Sequence, residues 1–408
     1  MFLYSLPVSN EIVVAFILIY SVCVAGQKKK GMAEKKRKHI LLLEPYYGGS
    51  HKAFLHGLSR YVDMEFTLVT LPARKWKMRM QTAAPWLAEQ IVDLCKNGEH
   101  FDGMLCSTFL DLAVLRSLLA RAGIWLPAAV YFHENQFAYP GRIRDPGYFQ
   151  FTGINLSTAL CADLLAFNSR FNFDSFLSGI RKFIAKVSDV SLHDVIAQIQ
   201  AKSSVLYPGL DFSDIDNIAP QPRSGTPVLI WNHRWEHDKN PNTFFHALYE
   251  LDATGVDFGL IVLGQNFHDR PPVFAEAEKR LARHIIHFGY VNDRARYVRL
   301  LHQGDLVVST AGHEFFGMSV LEAARAGCRP LVPDRLSYVE LYADQFRYRS
   351  GSLVKTLRAA LASLPDQEGR GEYSKIATPY AWPSLAGRYT AWLDELCSMP
   401  LPAFLDNC

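Results

Sequence analysis

From His39 onward the chain repeats one pattern, a short run of apolar residues followed by a longer segment whose apolar positions recur at helical spacing. Strands buried on both faces of a parallel sheet need such uniformly apolar runs, and the intervening segments supply the crossover helices. In the first half the strand positions are His39–Glu44, Glu65–Leu71, Gly103–Cys106, Ala128–Phe132, Leu164–Asn168 and Val205–Tyr207. Helical composition falls on Lys52–Tyr61, Pro85–Lys96, Asp111–Arg121, Gly153–Ala162 and Asn172–Phe183. A polar stretch with Asp214, Asp216, Pro220, Pro222, Gly225 and Pro227 then has the composition of an interdomain linker. After it the pattern restarts, with strands at Val228–Asn232, Gly259–Gly264, Ile285–Tyr290, Leu306–Ser309 and Arg329–Pro333. Helices are expected at Asn242–Leu251, Val273–Arg283, Arg294–Leu301 and Met318–Ala326, and a closing one at Trp382–Cys397. Two successive βα arrays predict an α/β protein of two Rossmann-like, doubly wound domains, 38–211 and 228–380, facing a central cleft. Residues 212–227 are the expected linker, and 381–408 the closing helix and tail.

Composition agrees with two cores: 408 residues, 49% hydrophobic and 20% charged, are more than one core normally holds. Net charge is +3, and Lys28, Lys29 and Lys30 against Glu11 account for most of it, so any nucleic acid would need a local basic patch. Seven scattered cysteines without a C-x-x-C pair fit reduced thiols in a cytoplasmic protein. Residues 1–37 form an extension whose apolar run, Ile12–Ala25, is shorter than the ~20 residues that cross a bilayer as a helix. Its basic residues follow the apolar run, the reverse of a secretory signal. Either Lys28–Lys30 and Lys35–Lys38 hold a reversed membrane anchor, or translation starts at Met32, the option favoured here.

The strongest chemical signal is His313-Glu314-Phe315-Phe316-Gly317-Met318-Ser319-Val320-Leu321-Glu322, with one carboxylate before a helix and another inside it. Gly317 permits close backbone approach, Gly327 supplies a helix stop, and the free N–H groups around Phe316, Gly317 and Met318 offer a diphosphate the positive end of a dipole. Glu322 is then placed for ribose hydroxyls and Glu314 for the sugar, although on spacing alone a surface helix with solvated carboxylates fits equally well. Arg234 and Lys239, five apart after the strand Val228–Asn232, suit both phosphates of a leaving nucleotide diphosphate, or an exposed basic loop. His133-Glu134-Asn135-Gln136 ends a strand with four polar side chains, costly to bury without a ligand or a network; His133 is a candidate donor to a sugar hydroxyl or a satisfied core histidine. Gly48-Gly49 either offers N–H groups to an anion or punctuates a turn.

No metal is expected, because His133-Glu134 lacks the second histidine of H-E-x-x-H and His233/His237 lack a third ligand. Asp214-Ile215-Asp216 has a D-x-D form but falls in the linker, where turn chemistry explains it. Arg74, Lys75, Trp76, Lys77 and Arg79 mix cations with an aromatic ring, a composition for single-stranded RNA or for a solvated loop. Arg142 and Arg144 would extend that patch if the two loops are adjacent.

The R-x4-K and E-x7-E pair on two βα halves is similar to retaining GT-B glycosyltransferases related to glycogen and sucrose synthases. More narrowly, Glu44-Pro45-Tyr46-Tyr47-Gly48-Gly49-Ser50-His51, then Leu71-Pro72-Ala73-Arg74-Lys75-Trp76, then His133-Glu134-Asn135-Gln136 with Tyr139-Pro140 resemble the tRNA-queuosine mannosyltransferase family, from about His39 to about Ala343. The resemblance implies metal-free transfer of mannose, with retention, from GDP-mannose to the cyclopentene diol of queuosine in a tRNA anticodon. It also implies that Arg234 and Lys239 hold the diphosphate, Glu322 the ribose, Glu314 and His133 the sugar, and Gly48-Gly49 the cleft floor. The chain departs from the broader group at His233, where many relatives have glycine before the arginine. Two other readings stay open: a GT-B enzyme acting on a lipid or glycan, favoured if residues 1–31 are an anchor, and a non-catalytic nucleotide or RNA binder.

Overall fold

In the computed structural model the described residues are 37–139, 147–186, 192, 194–219, 225–266, 271–364 and 369–400. The apolar run Ile12–Ala25, the Met32 start and the loop with Arg142 and Arg144 lie outside them. Six parallel strands, β1 (His39–Tyr47), β2 (Glu65–Pro72), β3 (Gly103–Ser107), β4 (Ala128–Phe132), β5 (Leu164–Phe167) and β6 (Ser203–Val205), form the first sheet in the order β2-β1-β3-β4-β5-β6. A second parallel sheet contains β7 (Val228–Asn232), β8 (Gly259–Leu263), β9 (Ile285–Gly289), β10 (Leu306–Val308), β11 (Arg329–Pro333) and β12 (Arg347–Tyr348), ordered β12-β11-β10-β7-β8-β9. Every residue of β3, β4, β5, β7, β8 and β10 is buried, as expected for central strands covered by helices on both faces. The strand order reverses between β1 and β3 in the first sheet and between β7 and β10 in the second. These switch points are where the loops part and leave a crevice for ligands.

Several boundaries differ from the sequence expectation. The second helix runs Trp76–Lys96 and so contains Pro85, which was expected to start it because a proline at the first position loses no hydrogen bond. Burial of Met80, Ala83 and Ala84 outweighs that preference, so Trp76, Lys77 and Arg79 are helical, not loop, residues. The first helix begins at Gly49 instead of Lys52, and the fourth at Tyr148 instead of Gly153. Within the expected linker, Ser213–Asp216 form a helical turn docked on the second domain. Asp216 accepts from Arg325 Nε and Nη2 at 2.7 and 2.8 Å, Asp214 pairs with Arg294 at 3.3 Å, and His302 Nε2 meets the Ile215 carbonyl at 3.0 Å. Residues 220–224 of that linker lie outside the described ones.

Among the contacts that join the halves, one encloses a tryptophan and another caps a helix. The closing helix, Trp382–Cys397, returns to the first domain, where the Trp382 N–H donates to the Leu210 carbonyl at 3.0 Å and the Tyr389 hydroxyl to the Tyr207 carbonyl at 2.8 Å. Trp382 is fully enclosed because Gly57 and Gly209 leave room for its ring; a Cβ at either would lie 1.7 or 2.2 Å from an indole atom. On the cleft side Glu340 of the second domain caps a first-domain helix, Arg170–Ile184, accepting from the Arg170 and Phe171 N–H groups at 2.9 and 3.0 Å and from the Tyr207 hydroxyl at 3.1 Å. A carboxylate there satisfies unpaired N–H groups and meets the positive end of the helix dipole. Among the described residues no helix is long and apolar enough to cross a membrane, and the five cysteines there are all free thiols.

Trp382→Ala would leave a large cavity between domain one and the returning helix. We expect it to cost about 3–5 kcal/mol, as for other buried tryptophans, seen as a lowered thermal midpoint; an unchanged midpoint would show that the helix is not part of the folded core.

Candidate active site

At the β7/β10 switch point, β7 ends in Asn232 and the chain passes through His233, Arg234 and a short 3-10 turn, His237–Lys239, into the helix Pro241–Ala253. Across from it, β10 runs into Ser309–Glu314. Hydrogen bonds lock the two loops: Gly312 N–H donates to the Asp238 carbonyl at 2.7 Å and the Thr310 hydroxyl to the Lys239 carbonyl at 2.9 Å. Gly264, at φ +134, ends β8 so close to this turn that a Cβ would lie 1.7 Å from the His233 carbonyl oxygen.

Lys239 is buried, and its ammonium meets three acceptors: the His313 carbonyl at 2.8 Å, Glu314 Oε2 at 3.1 Å and Asp238 Oδ2 at 3.3 Å. An ammonium has three N–H bonds, so direct donation to a phosphate requires it to release one partner, which spacing did not foretell. Arg234 is the more accessible cation. Its side chain is 53% exposed and forks onto Glu236, with both N–O distances 3.1 Å. Burial alone would lower the Arg234 pKa, but Glu236 and Asp238, with smaller contributions from Tyr139 and Glu314, raise it.

Glu314 Oε1 also accepts from the Phe316 N–H at 3.4 Å. Burial would raise the Glu314 pKa, yet Lys239 outweighs it, with help from His233 and the Phe316 N–H, and brings the carboxyl down to about 2. Gly317, at φ +95, starts the helix Met318–Arg325, and a Cβ there would lie 2.8 Å from Tyr338. The Gly317, Met318 and Ser319 N–H groups precede that helix's first internal bond and face its N-terminal end. Phe316 contributes backbone only, since its ring is buried against Tyr207 and Tyr380. Glu322 lies within the helix, its two oxygens accepting from Arg294 Nη1 at 2.8 Å and the Tyr297 hydroxyl at 2.7 Å. Asn232 in turn donates to that tyrosine oxygen at 2.7 Å. His233 is buried beside these groups; burial first, then Lys239, lowers its pKa to about 4, so it is neutral at pH 7.

On the first domain His133 follows β4, also buried. The cost of its polar neighbours is met by a network. Asn135 Nδ2 donates to Asn172 Oδ1 at 2.8 Å, Asn172 Nδ2 to the Phe132 carbonyl at 2.8 Å, and Asn168 Nδ2 to the His133 carbonyl at 2.7 Å. The imidazole of His133 lies 4.1 Å, centroid to centroid, from His51, whose Nδ1 is 2.9 Å from Glu44 Oε2. Glu44 also accepts from the Tyr46 N–H at 2.8 Å and the Ser107 hydroxyl at 3.0 Å. Burial pushes the His51 pKa down, but Glu44 raises it above the ordinary value; burial, and then the positive charge of His51, hold His133 well below its own. Sequence spacing missed this trio because His133, just after β4, lies far along the chain from Glu44 and His51. Their ligand atoms lie within 4.8 Å of one another, a grouping that could hold a metal ion, although Glu44 is already occupied by three donors.

Tyr139 bridges the cleft, its ring 4.7 Å from His313 and 5.6 Å from Phe315, its hydroxyl donating to Glu134 Oε2 at 2.6 Å. Gly48 is extended and packs so tightly that a Cβ would lie 2.5 Å from that of Ala73, and Gly49 takes φ +50 at the start of its helix. Arg74 and Lys75 are exposed, but Trp76 is half-buried against Phe109 and Phe151 with centroids at 6.0 and 5.2 Å, and Arg79 is half-buried too. Trp76 therefore spends its ring on the protein instead of offering it to a base. A cavity of about 440 Å³ lined by Asn242, His246, Asp334 and Arg335 among others contains none of Arg234, Lys239, Glu314, Glu322 or His133. Converging charge at the switch point, not cavity size, marks the site.

Residues 39–210 match the tRNA-queuosine alpha-mannosyltransferase N-terminal family, and residues 214–363 match glycosyl transferases group 1. A tRNA-queuosine alpha-mannosyltransferase of Drosophila melanogaster is 36% identical over 334 residues, covering 79% of this chain and 86% of that protein. The chain belongs to the tRNA-queuosine alpha-mannosyltransferase family. It is a glycosyltransferase. A solved glycosyltransferase of Rickettsia africae aligns over 89% of this chain and 100% of its own with a TM-score of 0.61 at 14% identity. HepE of Anabaena, in complex with UDP, aligns over 88% and 100% with a TM-score of 0.60 at 15% identity. These likenesses show the fold, which is GT-B, as its two facing sheets predict.

For this member of the family, the Lys239–Glu314 pair sets a pH dependence. The stabilisation Glu314 supplies is complete above its ordinary value near 4.5 and is lost as pH falls toward about 2. Lys239→Met leaves the carboxylate buried without its cation, so its pKa rises and ionising it now destabilises the fold. We expect the gap between wild-type and variant thermal midpoints to be small near pH 3 and to widen up to pH 7. A gap constant with pH would detach Glu314 from Lys239.

Proposed function

We propose that the protein transfers mannose from GDP-mannose to queuosine in a tRNA anticodon, with retained anomeric configuration and in the cytoplasm. The observation carrying this is the convergence, at the β7/β10 switch point, of Arg234, the Lys239–Glu314 pair and the N-terminal end of the helix Met318–Arg325. The acceptor follows from the Drosophila relative, which is a tRNA-queuosine alpha-mannosyltransferase by name.

In this mechanism the diphosphate sits against the Gly317–Ser319 N–H groups, with Arg234 leaving Glu236 to fork onto its oxygens. Lys239 acts chiefly through its fixed charge, and Glu322, held by Arg294 and Tyr297, keeps lone pairs for the ribose hydroxyls. Neutral His133 and Glu314 face the sugar. As the bond from C1 to the diphosphate oxygen breaks, the queuosine hydroxyl bonds to C1 from the same face, and its proton passes to the departing phosphate oxygen. Negative charge builds on the diphosphate, so preorganised cations and N–H groups provide most of the stabilisation.

The test offers purified protein labelled GDP-mannose or UDP-glucose together with tRNA with and without queuosine, and analyses the nucleosides. Labelled mannosyl-queuosine is expected; transfer independent of queuosine would refute the assignment. Lys239→Ala should lower turnover by roughly two orders of magnitude, the loss typical of one preorganised group at a charge-developing site. Near-normal turnover would remove Lys239 from the chemistry.

A further inference from the structure

Three first-domain segments meet outside the cleft. Pro72–Trp86 carries Arg74, Lys75, Lys77 and Arg79, Gly147–Ala162 carries no charge, and Ser175–Lys186 carries Arg181, Lys182 and Lys186; none contains a carboxylate. Their side chains form one surface. The Lys77 ammonium lies over the Trp76 and Phe151 rings at 5.7 and 5.8 Å, which joins the first segment to the second. Lys186 lies over the Tyr148 and Phe149 rings at 5.5 and 5.1 Å, and Phe149 meets Phe183 at 5.9 Å, which joins the second to the third.

Phe149 is 57% exposed and Met78 52%, and what sets them apart from other exposed apolar side chains is that they stand among cations with no carboxylate in the three segments. Beneath this surface a packed row of rings runs inward: centroids step from half-buried Trp76 to buried Phe109 at 6.0 Å, to His51 at 5.2 Å and to His133 at 4.1 Å, which ties the base of the surface to the candidate site residue His133.

We propose that this surface, with Phe149 as its stacking platform and Lys77 and Lys186 as its phosphate contacts, holds single-stranded nucleotides flanking the acceptor residue. An exposed ring accepts the face of any base, and cations on either side of it track a sugar–phosphate backbone. Trp76, the ring that composition pointed to, serves as a half-buried floor, and Phe149, on a helix without a charge of its own, takes the role of contact. The inference rests on the proposed tRNA acceptor and adds where the strand outside the cleft runs.

The experiment compares the full-length protein with F149A and with the K77A/K186A double variant. Binding of queuosine-bearing tRNA is titrated across a salt series, GDP binding serves as the control for folding, and wild-type mannosyl transfer is measured in parallel. F149A should weaken tRNA binding about tenfold, in the range of a single lost base–aromatic stack. The double variant should lower the slope of log affinity against log salt by about 1.4, two phosphates on a single strand. GDP affinity should stay unchanged in both. If wild-type protein transfers mannose to the tRNA while both variants bind it with unaltered affinity and slope, the surface is not the contact and the function stands. Should the wild type bind tRNA through these residues yet transfer nothing to it, the surface stands and the proposed reaction falls. Binding of phosphatidylserine vesicles through Phe149 and Lys186, with no effect of the variants on tRNA, would overturn the RNA assignment in favour of a membrane contact.

Discussion

The buried ammonium of Lys239 ties together the two loops that make the second-domain crevice. Its acceptors, Asp238, Glu314 and the His313 carbonyl, belong to the segments following β7 and β10, the strands on either side of the switch point. A buried charge is tolerated only when it is paired and hydrogen-bonded, and an isolated member of such a pair costs several kcal/mol, on the order of 3–5. Each loop conformation therefore depends on the other. Glu314 is held ionised and oriented, which also fixes Phe316 and the start of the Gly317 turn through its second oxygen.

That arrangement bears on the chemistry. A cation that is preset by a carboxylate is a weaker phosphate ligand than a free one, but it is already desolvated and does not reorganise when charge develops. Arg234 complements it, because half of its side chain remains open to solvent and its partner Glu236 is also partly exposed. One cation is thus fixed by buried partners and the other is half open to solvent. Neutral His233, whose pKa is pushed down to about 4 by burial and by Lys239, adds no competing positive charge at the turn, so the field there is set by residues with defined partners.

Much of this was legible along the chain. Central strands such as β4 and β7 are recognisable because burial on both faces forbids polar interruptions, and the end of such a run marks where ligand groups emerge. Arg234 and Lys239 were singled out that way, and Glu314, Gly317 and Glu322 by their spacing around a helix start. What could not be read depends on partners remote in sequence. Glu44 looked like the last residue of a strand, and only its bond to Ser107, 63 residues on, and the packing of its partner His51 against His133 make it the anchor beneath His133. Trp76 looked available to a base because its neighbours are cations, but Phe109 and Phe151, from two other elements, cover it. Tyr297 and Arg294 were unremarkable members of a helix until their contact with Glu322 gave them a role.

The division of labour between domains makes their relative placement part of the chemistry. The groups proposed to stabilise the departing charge all lie on the second domain, whereas His133 and the basic aromatic surface lie on the first. Same-face displacement requires the acceptor oxygen, C1 and the departing oxygen to sit within about 3–3.5 Å contacts of one another, a tolerance that neither domain can enforce alone. Glu340 contributes by reaching from the second domain onto the amino end of Arg170–Ile184, and Tyr139 by packing against His313. Both contacts are small and partly exposed, so they set an orientation without the cost of parting a large apolar interface. The returning helix at Trp382 is different in kind, since its tryptophan is entirely enclosed by the first domain. One end of the interdomain junction is therefore closed around a buried tryptophan and the other is small and partly exposed, so the contacts that orient the halves over the crevice are the weaker ones.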